Sequence, residues 1–130
     1  MRLLAVLLAA LLLAGCGGTA TKQAAASSVR IAAAPVSTVG FRSAGQLADH
    51  YARHGTEFGA VDQTAYLRLA QGLRDAPVGG DVLEIVRDDG VTTRFDRATG
   101  AFVAFGDDGV IRTFFRPADG EAYFERQADR

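Results

Sequence analysis

Apolar side chains along this chain repeat at two different intervals, and the change from one to the other falls at Gly79-Gly80. Ahead of it, Leu47, His50, Tyr51 and His54 follow one another at helical spacing. Ser43 stands where an N-cap belongs and Gly55 where a left-handed C′ residue belongs, which predicts a first helix over about 43–54. Asp62 opens a second helix, in which Tyr66, Leu69, Ala70 and Leu73 form the apolar face and Arg68, Gln71 and Arg74 the polar one. Pro77 and the glycine pair end it. Beyond Gly80 the interval shortens to two. Val82–Arg87, Val91–Asp96, Ala101–Phe105 and Val110–Arg116 are short runs rich in Val, Ile, Thr and Phe, separated by Asp88-Asp89-Gly90, Arg97-Ala98-Thr99-Gly100 and Gly106-Asp107-Asp108-Gly109. Connections this short force antiparallel neighbours. A short last helix is expected over Glu121–Gln127. The fold class is therefore α+β: an N-terminal αα-hairpin packed on a four-stranded antiparallel β-meander, with a short C-terminal helix.

Alternation within the strands assigns their faces. In the last run Ile111, Thr113 and Phe115 are expected on one face and Arg112, Phe114 and Arg116 on the other; in the second, Val91, Thr93 and Phe95 oppose Thr92, Arg94 and Asp96. Neither set is purely apolar. One face is thus expected to carry the helices and the other to be a partly polar working surface.

The first forty residues follow different rules. After Met1-Arg2, Leu3 to Leu13 is an unbroken apolar run of 11 residues, too short for a membrane span and the right length for a signal-peptide core. It ends in Leu13-Ala14-Gly15-Cys16, which resembles the bacterial lipobox, where the signal is cut before a cysteine that then carries lipid. Residues 1–15 are accordingly expected to be a lipoprotein signal peptide, with Cys16, the sole cysteine, as the membrane anchor. Residues 16–40, mostly Gly, Ala, Ser and Thr, hold too little apolar surface to order themselves and read as a tether, with at most a short strand near Val29–Ile31. Residues 41–130 form the domain. Removing Arg2 with the signal takes the 14 basic residues to 13 against 15 acidic, a formal charge of −2, whereas nucleic-acid binders usually carry net positive charge.

Both histidines of the chain, His50 and His54, stand four residues apart, so on a helix their rings share one small volume. Three readings fit. One imidazole lines the sheet while the other is a solvated cation near the helix C-terminus; or the pair is a proton acceptor and donor working near neutral pH; or the two bind zinc. The zinc pattern of metalloproteases has Glu directly after the first histidine, where this chain has Tyr51, and no third His or free Cys remains as a ligand. No metal or other cofactor is expected.

Taken together, His50-Tyr51-Ala52-Arg53-His54-Gly55-Thr56-Glu57-Phe58-Gly59, Tyr66-Leu67-Arg68-Leu69-Ala70, Thr93-Arg94-Phe95-Asp96, Gly109-Val110-Ile111-Arg112-Thr113-Phe114-Phe115-Arg116-Pro117 and Tyr123-Phe124 resemble a known module. They are similar to the C-terminal nuclease domains of contact-dependent inhibition and other polymorphic bacterial toxins, in the group linking barnase, EndoU, colicin D and RelE. The resemblance spans about residues 45–127 and lies in the order of the pieces. It implies metal-independent cleavage of RNA, often tRNA, by a monomer that an immunity protein can hold in check. Carried onto this sequence, His50 and His54 supply base and acid, Thr113 holds a phosphate oxygen, Arg94 and Arg112 clamp phosphate, and Tyr123 stacks on a base or donates a hydrogen bond. Each also has an ordinary role: Arg94 in a surface ion pair, Arg112 as a solvated strand residue, Thr113 as a strand former, Tyr123 as a core aromatic.

Two function classes follow. In one, the domain is a nuclease toxin displayed on the cell envelope and delivered to a neighbour. In the other, an inactive copy binds an envelope partner, a peptide or a nucleic acid through the same cleft. A purely structural lipoprotein, by contrast, leaves His50, His54 and Thr113 without a shared site.

Overall fold

The computed structural model describes residues 39–130; the expected signal segment, Cys16, the tether and the short strand near Val29 lie outside the described residues. Helix α1 runs Ala44–His54 and α2 runs Gln63–Asp75, and both begin as the sequence predicts. The Ser43 hydroxyl accepts from the Gln46 N–H at 3.1 Å and the Asp62 carboxylate from the Ala65 N–H at 2.7 Å. The end of α1 differs from expectation. Gly55 stays right-handed, at φ −56°, and the chain continues through a 3-10 turn, Gly55–Phe58, to Gly59, which takes the positive φ of 84°. Gly55 is needed for space instead: a Cβ there would stand 2.6 Å from the Tyr51 ring. Among the described residues no helix is long and apolar enough to cross a membrane.

Strands β1 (Val82–Val86), β2 (Thr92–Asp96), β3 (Ala101–Phe105) and β4 (Ile111–Phe115) form one sheet in sequence order, every pair antiparallel. Helix α3 follows at Glu121–Glu125, shorter than expected because the chain tightens to a 3-10 turn over Arg126–Asp129. The β4 edge is partly covered, since the Ile111 N–H donates to the Gly40 carbonyl at 3.0 Å and Phe41 bridges to Ile111 in parallel.

The expected facing of β4 fails at one point. A bulge between Ala104 and Phe105 pairs Phe105 with Ile111 and Ala104 with Thr113, so Arg112 has no partner in the ladder. The extra residue breaks strict alternation. Ile111 therefore joins Phe114 in the core beneath α1 and α2, while Arg112 is exposed.

That core holds Tyr66, Ala70, Leu73, Ala101, Val103, Ile111 and Phe114, with Leu47, Tyr51 and Phe58 packed against it. The other face of the sheet is not the polar surface that alternation suggested. Val91, Phe95, Phe102 and Ala104 form a second apolar cluster beneath Phe124 and Tyr123, so α3 lies on the face opposite to the hairpin. Thr93 is compatible with this dry layer because its hydroxyl donates to the Ile85 carbonyl at 3.1 Å.

Tyr66 joins hairpin to sheet. It is 0 % exposed, its hydroxyl donates to the Phe114 carbonyl, and its ring meets those of Phe41, Tyr51, Phe58 and Phe114 at centroid distances of 6.3, 5.8, 5.7 and 5.2 Å. Burial pushes its phenol well above the ordinary tyrosine range. Tyr66→Phe keeps the ring but leaves a buried carbonyl without its donor, so unfolding free energy should fall by about 1–3 kcal/mol. A urea titration reads this as a lower midpoint at an unchanged slope; an unchanged midpoint would show that the hydroxyl contributes nothing.

Candidate functional site

The helical repeat that places Leu47 and Tyr51 against the core also sets His50 and His54 along the flank of α1 that faces the β4 edge. Their rings lie 6.2 Å apart at an interplanar angle of 26°. His50 stacks on Phe41 at 5.0 Å, and His54 meets Phe115 at 5.3 Å. Both imidazoles are half-buried.

Their polar surroundings differ. His50 Nδ1 is buried and has no hydrogen-bond partner among the described residues. Burial, and then the positive charges of Arg53 and His54, hold the His50 pKa below the ordinary value of 6.5. His54 Nδ1 lies 2.8 Å from Glu57 Oε1, an arrangement that fixes the ring and leaves Nε2 as its other polar atom. Glu57 is itself held at both ends: Oε2 accepts from the Arg116 backbone N–H at 2.6 Å, and its carbonyl accepts from the Arg116 guanidinium at 2.7 Å. Arg116 in turn lies over the Phe58 ring at 4.9 Å. The 3-10 turn and the end of β4 thus orient one histidine through a carboxylate. Sequence reasoning did not assign Glu57, although its position three residues after His54 on a helical turn is the signal that could have found it.

At the other end of α1, Arg112 lines a polar cavity of about 220 Å³ with Arg42, Gln46 and Asp108. Gln46 precedes His50 by one helical turn, and Arg42 follows the Phe41 whose ring stacks on His50. Neither Arg42 nor Arg112 forms an ion pair among the described residues, while the Asp108 carboxylate accepts from the Val110 N–H at 2.9 Å. The bulge that expels Arg112 from the ladder is what places it here. The cavity thus gathers two guanidinium groups, an amide and the Asp108 carboxylate.

The remaining sequence candidates separate. Thr113 lies on the Phe115 side of β4, half-buried, and makes no side-chain hydrogen bond among the described residues. Tyr123 packs edge-on against Phe102 at 5.1 Å and Phe115 at 5.4 Å, with Arg126 at 5.8 Å from its ring, so Phe115 touches both it and His54. Arg94 is engaged elsewhere. Its guanidinium donates to Glu84 at 2.7 Å, to the carbonyls of Leu73 at 3.5 Å and Ala76 at 2.8 Å, and to the Arg74 carbonyl, closing the C-terminal end of α2. Arg94 therefore serves the fold and does not join the histidines. Among the described residues no group of three or more His, Cys, Asp or Glu side chains could hold a metal ion.

No protein-family model matches this chain, and comparison with curated proteins finds no similar sequence.

The low His50 pKa fixes the sign of a pH effect. As pH falls through 6.5 the unfolded chain takes up its proton before the folded chain does, so His50 removes stability below that value and costs nothing above it. Ring-proton NMR should show His50 titrating below 6.5, and urea midpoints at pH 5.5 and 7 should differ less in His50→Phe than in the native chain. A ring that titrates at or above 6.5 would contradict the burial argument.

Proposed function

We propose that this chain is a metal-independent endoribonuclease acting on a tRNA-type substrate, presented on the bacterial envelope as a lipoprotein anchored through Cys16. The observation that carries the reading is the imidazole pair 6.2 Å apart with unlike surroundings. Cleavage by 2′-OH attack needs a neutral base on one side of the phosphate and a proton donor on the other. His50, which resists protonation, is the base that takes the 2′-OH proton. His54, oriented through Nδ1 by Glu57, presents Nε2 as the acid that protonates the departing 5′-oxygen. Between them the phosphate changes from four-coordinate to five-coordinate and gains charge, for which Arg112 and Arg42 are the proposed donors. The Thr113 hydroxyl offers a further donor on the Phe115 side, and Tyr123 an aromatic edge for a base. An immunity protein that covers the α1–β4 flank would block such a site.

The net negative charge does not oppose this reading, because local field governs phosphate binding and Arg42, Arg53, Arg112 and Arg116 are gathered along α1 and β4. The engagement of Arg94 in closing α2 favours a second reading, in which the same flank binds a partner without cleaving it.

Incubation of the full chain with total tRNA, with and without EDTA, tests the two. Cleavage should survive EDTA and fall by about 10²–10⁴-fold in His50→Ala and in His54→Ala. Glu57→Gln should lose less than either histidine variant, and Arg112→Ala should lower kcat more than it raises KM. Intact tRNA from a folded protein would move the assignment to the binding module. Separately, Cys16→Ser should shift the protein from the membrane fraction to the soluble fraction.

A further inference from the structure

A second cavity, of about 410 Å³, opens between α2 and the sheet. Its wall is mostly apolar: Phe58, Leu69, Leu73, Val82, Ala101 and Phe114. Two features distinguish it from a packing defect. The first is Gly72, in the interior of α2 with a right-handed backbone, where a Cβ would meet nothing within 4 Å. Gly72 is exposed and lines the cavity, so its missing side chain leaves that part of the wall uncovered although alanine or leucine there would favour the helix. Leu69, on the same wall one turn earlier, is left 44 % exposed.

The second feature is the charge at the mouth. Arg68 and Arg116 both line the cavity, and neither guanidinium is paired with a carboxylate among the described residues. The one acidic residue present, Asp96, directs its carboxylate to its own turn, accepting from the Ala98 N–H at 2.9 Å and the Thr99 hydroxyl at 2.7 Å. An apolar cleft in the size range of small-molecule sites, with two cations at its opening, matches one class of ligand.

We infer that this cavity binds a linear alkyl chain ending in an anionic oxygen head group, a carboxylate or a phosphate monoester, with the chain against Leu69, Gly72 and Leu73 and the head between Arg68 and Arg116. An alkyl chain fits better than a nucleobase. The wall offers almost no hydrogen-bonding groups for a base edge, and an unsatisfied polar edge in an apolar cleft weakens binding. This site shares Phe58 and Arg116 with the support of His54, but its ligand class is read by its own measurement.

The test is calorimetric titration of the full chain, purified without detergent, with hexanoate, octanoate and decanoate, then with decyl phosphate, decanol and adenosine 5′-monophosphate. Affinity should rise roughly fourfold per methylene until the cavity is full, the value expected for burying each CH₂. Decanol should bind at least tenfold more weakly than decanoate, and the comparison with decyl phosphate shows which head is preferred. Gly72→Leu fills the space with a helix-favouring side chain and should abolish binding of the series while its melting temperature stays the same or rises. Arg68→Gln should weaken the anions and leave decanol unchanged. A flat chain-length series, equal binding of decanol, or full binding by Gly72→Leu would overturn the inference. So would binding of the nucleotide alone.

Discussion

The contact on which the rest of this structure depends is the buried Tyr66, held by its hydroxyl to the Phe114 carbonyl. Its ring is where α1, α2, the 3-10 turn and β4 meet, through Tyr51, Phe58, Phe41 and Phe114. A hydroxyl in so dry a place is tolerable only with an acceptor, and the acceptor fixes the height of α2 along β4. The consequences reach the histidines. Phe41, seated on Tyr66 from one side, is the surface on which His50 stacks, and Phe58 carries the Arg116 that holds Glu57 against His54. One buried phenol therefore seats the residues that surround the two histidines without touching the imidazoles themselves.

Arginines divide the labour along the same lines. Arg74, 4 % exposed, pairs with Asp75 at 2.7 Å and donates to the Gly109 carbonyl at 3.0 Å and to the Val39 carbonyl, tying α2 to the β3–β4 loop and to the strand-like segment at the β4 edge. Arg94 closes the end of the same helix. Buried cations of this kind are stable only when each N–H has an acceptor, so they are not available to a ligand. Among the described residues, Arg42, Arg68, Arg112 and Arg116 have no carboxylate partner, are exposed and line the two cavities. Position in the fold, and not residue type, separates structural guanidinium groups from those that can meet an anion.

The two helices, the four strands and their antiparallel order were legible in the sequence, because period, caps and glycine-bearing turns are local properties. The proximity of His50 and His54 was legible for the same reason: four residues on a helix is a local distance. What surrounds them was not. Glu57 reaches His54 within a turn, but it is held there by the backbone of Arg116, fifty-nine positions away. Arg94 and Arg112 looked alike as strand arginines flanked by threonine.

A single bulge separates them. It is a matter of how β3 and β4 pair, which no run of residues in either strand announces, and it moves Ile111 into the core, turns Arg112 out beside Arg42 and Gln46, and leaves Arg94 in an unbroken ladder facing the end of α2. The second face of the sheet was misjudged for a related reason. Alternation left neither face purely apolar, yet α3 crosses this one with Phe124 and Tyr123, and Thr93 satisfies its hydroxyl on the neighbouring strand. Local chemistry alone thus decided which segments are helix and strand and that two imidazoles stand together. Long-range pairing and packing decided which of the charged groups join them, because a hydrogen bond across the sheet depends on register, and register is a property of the assembled fold.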